Sequence, residues 1–213
     1  MIVLGLTGSI GMGKSTAAAM LRRLGVPLFD ADLAVHRLLA PSGAAAPAVS
    51  AAFPRVGTEA GGIDRVLLGQ RVFTDPTALT RLEEILHPIV VAEGKRFLAR
   101  LRARREPLAV LDIPLLFETG AERRCDYVLV VSAPALVQRQ RVMRRPGMTE
   151  IRLNAILRKQ MPDHRKRQHA DFVVPTGAGR ALTLRRLKSI VRLLRKRGDG
   201  NCAKSCSTPK RRV

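Results

Sequence analysis

Tryptophan is absent, and tyrosine and phenylalanine occur once and six times in 213 residues. Proteins that bind single strands of nucleic acid stack bases on aromatic side chains, so that class has little to build on here. No zinc-finger, RNP or heptad pattern takes its place. Cysteine is scarce: Cys125, Cys202 and Cys206 are the three present. A small odd number argues against a disulfide framework. Cys202 and Cys206 stand in a polar tail without the companion His or Cys pair of a zinc site. No run approaches the roughly 20 apolar residues of a membrane span. Met1–Leu6 opens directly as a strand-like run, without the basic and then apolar regions of a signal peptide. A cytoplasmic protein with no membrane partner is expected. Acid is the last shortage, with 17 Asp and Glu against 38 Lys and Arg, a formal charge of +21. Residues 192–213 alone carry eight Lys/Arg and one Asp. Such a surface attracts nucleic acid, acidic lipid or phosphorylated small molecules, and charge alone does not choose among them.

Apolar material is ample: hydrophobic residues make up 46% of the chain and the mean hydropathy is +0.02. Five short apolar runs read as buried strands: Ile2–Leu6, Val26–Phe29, Leu108–Leu111, Tyr127–Val131 and Phe172–Val174. Helical spacing follows in Ala17, Met20, Leu21 and Leu24, with Gly25 as a stop. It recurs in Leu153, Ile156, Leu157 and Gln160 behind Thr149 as N-cap, and in Leu184, Leu187, Ile190, Val191 and Leu194. Buried strands alternating with helices predict an α/β fold, a parallel five-stranded sheet with helices on both faces. Residues 36–105 form a long excursion, helical around Leu79–Val91 and Glu93–Arg105. The Arg-rich segment 138–168 reads as a second helical insertion. From 196 to 213 the composition predicts a basic, disordered tail.

Gly8-Ser-Ile-Gly11-Met12-Gly13-Lys14-Ser15 matches G-x-x-x-x-G-K-[ST], with a strand before it and an amphipathic helix after it. Glycines let the backbone turn its amides toward phosphate, and the helix N-terminus adds partial positive charge. Lys14 is expected at the β and γ phosphates, the Ser15 hydroxyl on Mg²⁺ and Thr16 at the α phosphate. The pattern implies a nucleotide, ATP in a kinase, and a metal; it does not name the second substrate.

Acids stand at strand ends, where ligands bind in such sheets. Asp30 and Asp32 follow the second strand. A kinase acting on an alcohol needs a carboxylate to take the hydroxyl proton, and Asp32 is the candidate, with Asp30 near metal or water. Either acid could equally well cap the helix that follows. Asp112 ends the third strand, where it can reach Mg²⁺ through water. Arg141 and Arg145 are four residues apart, so one helix face could present both to transferring phosphate in a lid that excludes water.

The order of several blocks resembles the bacterial dephospho-CoA kinases from Ile2 to about Val191. They are Gly5–Thr16, Phe29-Asp-Ala-Asp32 with Val35-His36, Asp64-Arg65, Leu82-Glu-Glu-Ile-Leu-His87-Pro88, Asp112-Ile-Pro-Leu-Leu116-Phe117-Glu118, and Gln160-Met-Pro162. The resemblance implies ATP- and Mg²⁺-dependent phosphorylation of the ribose 3′-hydroxyl of dephospho-CoA. It implies one domain over 1–195: a nucleotide-kinase-like core (1–35, 106–137, 169–195), a substrate-binding insertion (36–105) and a helical lid (138–168). It makes Asp32 the base, gives Arg65 and His87 to acceptor binding, makes Arg141 and Arg145 lid arginines, and lines the acceptor pocket with Leu116, Phe117 and Glu118. Two places depart from the family pattern: Pro146 follows Arg145 where an Asp is usual, and Thr176 precedes Gly177 where Asn or Asp is usual. Another small P-loop kinase, for a nucleoside, a sugar or shikimate, lacks the blocks around His87 and Asp112. No specific nucleic acid is expected as a partner, although the tail is chemically suited to weak RNA binding.

Overall fold

The computed structural model describes residues 1–200. Its strands are β1 (Ile2–Thr7), β2 (Leu28–Asp30), β3 (Leu108–Asp112), β4 (Tyr127–Ser132) and β5 (Phe172–Pro175). They form one parallel sheet in the order β2-β3-β1-β4-β5. The register pairs Ile2 with Leu108 and Leu4 with Tyr127 on either side of β1, and Leu129 with Phe172 further out. β1 and β3 are buried along their whole length, as expected of parallel strands covered on both faces. Val26 is buried but lies before β2, in the turn where its amide donates to Leu21 O at 3.1 Å.

The helices are α1 (Lys14–Arg23), α2 (Ala31–Leu38), α3 (Ala46–Ala52), α4 (Arg65–Thr74), α5 (Pro76–Ala103), α6 (Ala135–Met143), α7 (Glu150–Lys159), α8 (Asp163–Gln168) and α9 (Arg180–Gly200). The described chain divides into two compact units. One comprises residues 1–29 and 101 onward, the other 30–100. The first holds the sheet, and its core joins Leu4, Leu6, Val110, Leu129 and Val131 to Ala17 and Leu21 of α1 and to Leu187, Val191 and Leu194 of α9. The second has its own core, in which Leu38, Leu39, Val49, Phe53, Ile63, Leu82 and Leu86 pack together.

Two helices differ from the sequence expectation. α5 runs unbroken through Pro88, Ala92 and Gly94 where two helices are expected. The 28 residues keep an apolar side that anchors the second core, and that burial offsets the ~1 kcal/mol and more that interior Gly and Pro cost. α9 continues past Arg195 to Gly200. Its end is tied down: Arg195 Nη2 donates to Leu24 O at 3.1 Å and to Gly25 O at 2.9 Å. The Arg197 guanidinium lies 5.8 Å from the Tyr127 ring centre and donates to its hydroxyl at 3.0 Å. The tail from 201, with Cys202 and Cys206, lies outside the described residues. Among those described, no helix is long and apolar enough to cross a membrane.

Because Arg195 supplies donors to the open carbonyls at the end of α1, Arg195→Ala is expected to lower stability by about 1 kcal/mol. Thermal unfolding should shift down by roughly 3 °C. An unchanged Tm would show that water serves those carbonyls equally well.

Candidate active site

β1 delivers the chain into the loop Gly8–Gly13, and α1 begins at Lys14. Gly11 and Gly13 have φ of +76° and +87°, the left-handed region that a side chain disfavours. A Cβ on Gly11 would also fall 2.6 Å from Val142 Cγ2 and 3.0 Å from Gln138 O. The N-terminus of α1 has no side-chain cap and no acid in its first turn. Its free amides and dipole are therefore left for an anion. Ser15 is exposed and Thr16 half-buried just behind them.

The loop's outer groups are held by side chains from far along the chain. Ile10 N donates to Gln160 Oε1 at 3.0 Å, and Gln138 Nε2 donates to Ile10 O at 2.8 Å. Thr176 Oγ1 donates to Met12 O at 2.8 Å. Met12 is buried, Ala133 N donates to its Sδ at 3.0 Å, and its own amide donates to Ser9 O at 3.1 Å within the loop. Lys14 Nζ sits 2.7 Å from Asp112 Oδ1. Asp112 is 2% exposed at the end of β3, so the lysine is drawn to a strand-end carboxylate next to the phosphate loop.

Arg141 does not stand out from a lid face. Its Nη2 donates to Thr176 O at 2.7 Å and its Nη1 to Thr176 Oγ1 at 3.0 Å, with Gly11 O at 3.4 Å. Thr176, noticed in the sequence only as a departure from pattern, thus joins Arg141 to the phosphate loop. Arg145 is a correction. α6 ends at Met143 with Arg144 as C-cap, so Arg141 and Arg145 do not share a helix face. The residue before a proline is pushed out of helical geometry, and Pro146 with Gly147 (φ +69°) turns the chain there. Arg145 is exposed in that turn.

The loop after β3 gives a second correction. Leu116 is fully enclosed. A Cβ on Gly5 would meet its Cδ2 at 3.0 Å and Cys125 Sγ at 2.9 Å. Leu116 therefore supports the loop from beneath and lines no open pocket. Phe117 is half-buried, 6.0 Å from the His169 ring centre to centre. Glu118 Oε1 accepts from Met161 N at 2.8 Å and pairs with Lys166 Nζ at 2.8 Å.

In the second unit, the two neighbouring acids divide their roles. Asp30 Oδ1 accepts from Leu33 N at 3.0 Å as the N-cap of α2. Asp32 is in the first turn, exposed. His36 lies four residues on, on the same helix side as Asp32, and its ring nitrogens are 2.7 Å from Arg65 Nη1. Arg65 begins α4 behind Asp64, whose carboxylate caps Val66 N and Leu67 N. His87 is exposed on α5. Thus His36 joins Arg65 to the α2 face that also carries Asp32. A cleft of about 470 Å³ there is lined by Phe53, Arg71, Asp75 and Arg81 among others, and none of the expected site residues lines it.

A helix N-terminus left open behind a glycine loop binds phosphate, and a strand-end carboxylate holding the loop's lysine fits enzymes that transfer it, so the chain belongs to the P-loop kinases. Among solved structures it is similar to TT1252 from Thermus thermophilus, with TM-score 0.75 and 38% identity over 91% of this chain and 97% of that one. It is also similar to the dephospho-CoA kinase from Campylobacter jejuni, with TM-score 0.68 and 25% identity over 93% and 98%. Curated relatives named dephospho-CoA kinase include one from Mesorhizobium japonicum, 62% identical over 84% of this chain and 89% of its own length. Another, from Paramagnetospirillum magneticum, is 61% identical over 92% of each. The model of the dephospho-CoA kinase family matches residues 2–180. The chain belongs to the dephospho-CoA kinase family, and membership implies ATP as the phosphoryl donor and a small-molecule acceptor.

Gly11→Ala forces a side chain into a left-handed turn and against Val142, a strain of about 1–3 kcal/mol. ATP affinity measured by calorimetry is expected to fall at least tenfold, with a lower Tm. Wild-type affinity would show that the loop's geometry is not what binds the nucleotide.

Proposed function

We propose that the protein transfers the γ-phosphoryl group of ATP to the ribose 3′-hydroxyl of 3′-dephospho-CoA, giving coenzyme A and ADP, the last step of coenzyme A synthesis. The family match over residues 2–180 carries this reading. The intact phosphate loop with its Lys14–Asp112 pair supports it.

In the proposed reaction the 3′-oxygen attacks the γ-phosphorus, the bond to the β,γ-bridging oxygen breaks, and ADP leaves with that electron pair. The hydroxyl proton passes to Asp32. With Asp30 engaged as helix cap, the exposed Asp32 carboxylate is uncommitted among the described residues. Lys14 and the amides of Gly11, Gly13, Ser15 and Thr16 hold phosphate oxygens, while Met12, whose amide donates to Ser9 O at 3.1 Å, shapes the loop that Gly8 opens. Arg145, exposed in the turn after α6, adds positive charge to the transferring group. Arg141 acts from the nucleotide side, fixed to Thr176 and near Gly11. Arg65 and His87 bind the acceptor, with Phe117 as an apolar surface. The Ser15 hydroxyl and the Asp112 carboxylate are hard oxygen donors of the kind that accompany phosphate-bound Mg²⁺. The ion would supply neutralising charge at the β and γ oxygens. The substrates are soluble metabolites, which fits action in the cytoplasm. The domain reading follows: residues 36–105 serve the acceptor and 138–168 act as a lid. Weak RNA binding by the tail falls mostly on residues outside those described.

ADP release measured with dephospho-CoA beside adenosine, AMP, gluconate and shikimate is expected to be fastest with dephospho-CoA by at least a hundredfold; equal rates would refute the acceptor. Asp32→Asn is expected to lower kcat by roughly 10²–10⁴ with an unchanged Tm, and a near-normal kcat would remove Asp32 as base. Removal of residues 201–213, beyond the family match, is expected to leave kcat/KM within about twofold of the full chain. A tenfold loss would make the tail part of the site.

A further inference from the structure

Lys166 is the largest side chain in the described chain with no exposed surface. It sits in α8 inside a stretch that reads Asp163-His-Arg-Lys166-Arg-Gln, where a solvated basic face would be the ordinary outcome. Its Nζ lies 2.8 Å from Glu118 Oε1. The same oxygen accepts from Met161 N at 2.8 Å. Glu118 Oε2 is buried and has no hydrogen-bond partner among the described residues.

A buried lysine is costly to keep charged, and a buried ion pair rarely adds net stability over an apolar pair of similar volume. Its use here is better sought in what it fixes. Glu118 lies within the loop that follows β3. Met161 and Lys166 belong to the segment that returns from α7 to the sheet. That segment is fixed twice more. Gln160 Oε1 accepts from Ile10 N of the phosphate loop, and Asp163 Oδ2 accepts from Ser132 Oγ at the end of β4, 2.7 Å away. One short stretch, residues 160–166, is therefore fastened to the phosphate loop, to the end of β4 and to the loop after β3. The fastening to the last of these is through Glu118 Oε1, which takes both the Met161 N–H and the Lys166 ammonium.

The geometry points to Lys166 as a positioning residue for the acceptor: it holds the Glu118 carboxylate, and through it the Phe117–Glu118 loop, in place. Glu118 is then a strut and not a ligand to the acceptor. This rests on the reading that dephospho-CoA is the acceptor and that Phe117 contacts it. It differs from that reading in giving Glu118 an inward task and in assigning a role to a lysine outside every motif.

Lys166→Met alone leaves the half-buried Glu118 carboxylate, with Oε2 enclosed, without its cation and is expected to unfold at lower temperature. The informative variant is Glu118→Gln with Lys166→Met, which removes both charges and keeps an acceptor for Met161 N. It is expected to stay folded near the wild-type Tm, with KM for dephospho-CoA raised at least tenfold and KM for ATP changed less than twofold. Hydrogen exchange in the apo protein tests the strut without any substrate. The amides of Thr119, Gly120 and Ala121, which close turns within this loop, should exchange at least fivefold faster than in wild type. Unchanged exchange, or equal rises in both KM values, would overturn the proposal. If wild-type protein failed to turn over dephospho-CoA, the acceptor reading would fall, and the exchange result would still decide whether Lys166 holds the loop.

Discussion

The phosphate loop cannot keep its shape by its own bonds. Its glycines make it permissive, and its central residues have backbone groups that no helix or strand satisfies. The structure supplies their partners from residues more than a hundred positions away: Gln138 and Gln160 on either side of Ile10, and Thr176 on Met12 O. Each bond contributes only about 1 kcal/mol net, but losing one leaves a half-buried group at Ile10, or the buried Met12 carbonyl, without that partner. The loop is therefore preorganised by β5, α6 and the end of α7 together. Preorganised donors are what stabilise developing charge without reorganisation during reaction.

That constraint explains why the parallel sheet matters to the chemistry. β1 lies between β3 and β4, so the phosphate loop leaves the sheet with the ends of both neighbours close by. From β3 comes Asp112 to Lys14; from the β4 end come Ala133 to Met12 Sδ and Ser132 to Asp163. Packing of α1 and α9 against the strands holds these ends in register. The unit over residues 30–100 has a core of its own, so Arg65 and His87, which are proposed to bind the acceptor, are presented by a separately stabilised body.

Much of this was legible in the sequence, for particular reasons. Short apolar runs gave the five strands to within a residue or two: the central β1 and β3 are apolar because both faces are covered, while at the edge β5 keeps its apolar run although Val173 is exposed. The phosphate loop was legible because few sequences place glycines, lysine and serine between a strand and a helix. Thr149 was readable as a cap, and it is one. Other features depend on tertiary partners that local pattern does not carry. An unbroken α5 depends on its buried side, and the extension of α9 depends on Arg195 and Arg197 finding partners just after α1 and in β4. Leu116 read as pocket lining because its block names a site, whereas the close approach of Gly5 encloses it. Lys166 looks like its exposed basic neighbours until Glu118 is found beside it. Arg145 shares helical spacing with Arg141, but Pro146 was the local signal that the helix would not reach it.

The central claim is chemical: a phosphoryl group moves from ATP to one hydroxyl of one acceptor. Its most direct test is the product's structure. Purified protein is incubated with ATP, Mg²⁺ and dephospho-CoA, and the product is examined by ³¹P and ¹H NMR. The account requires a new phosphomonoester coupled to the ribose 3′ proton, formed in equal amount with ADP. Phosphate on the 2′ position, or ADP formed with free phosphate and unchanged dephospho-CoA, would contradict it.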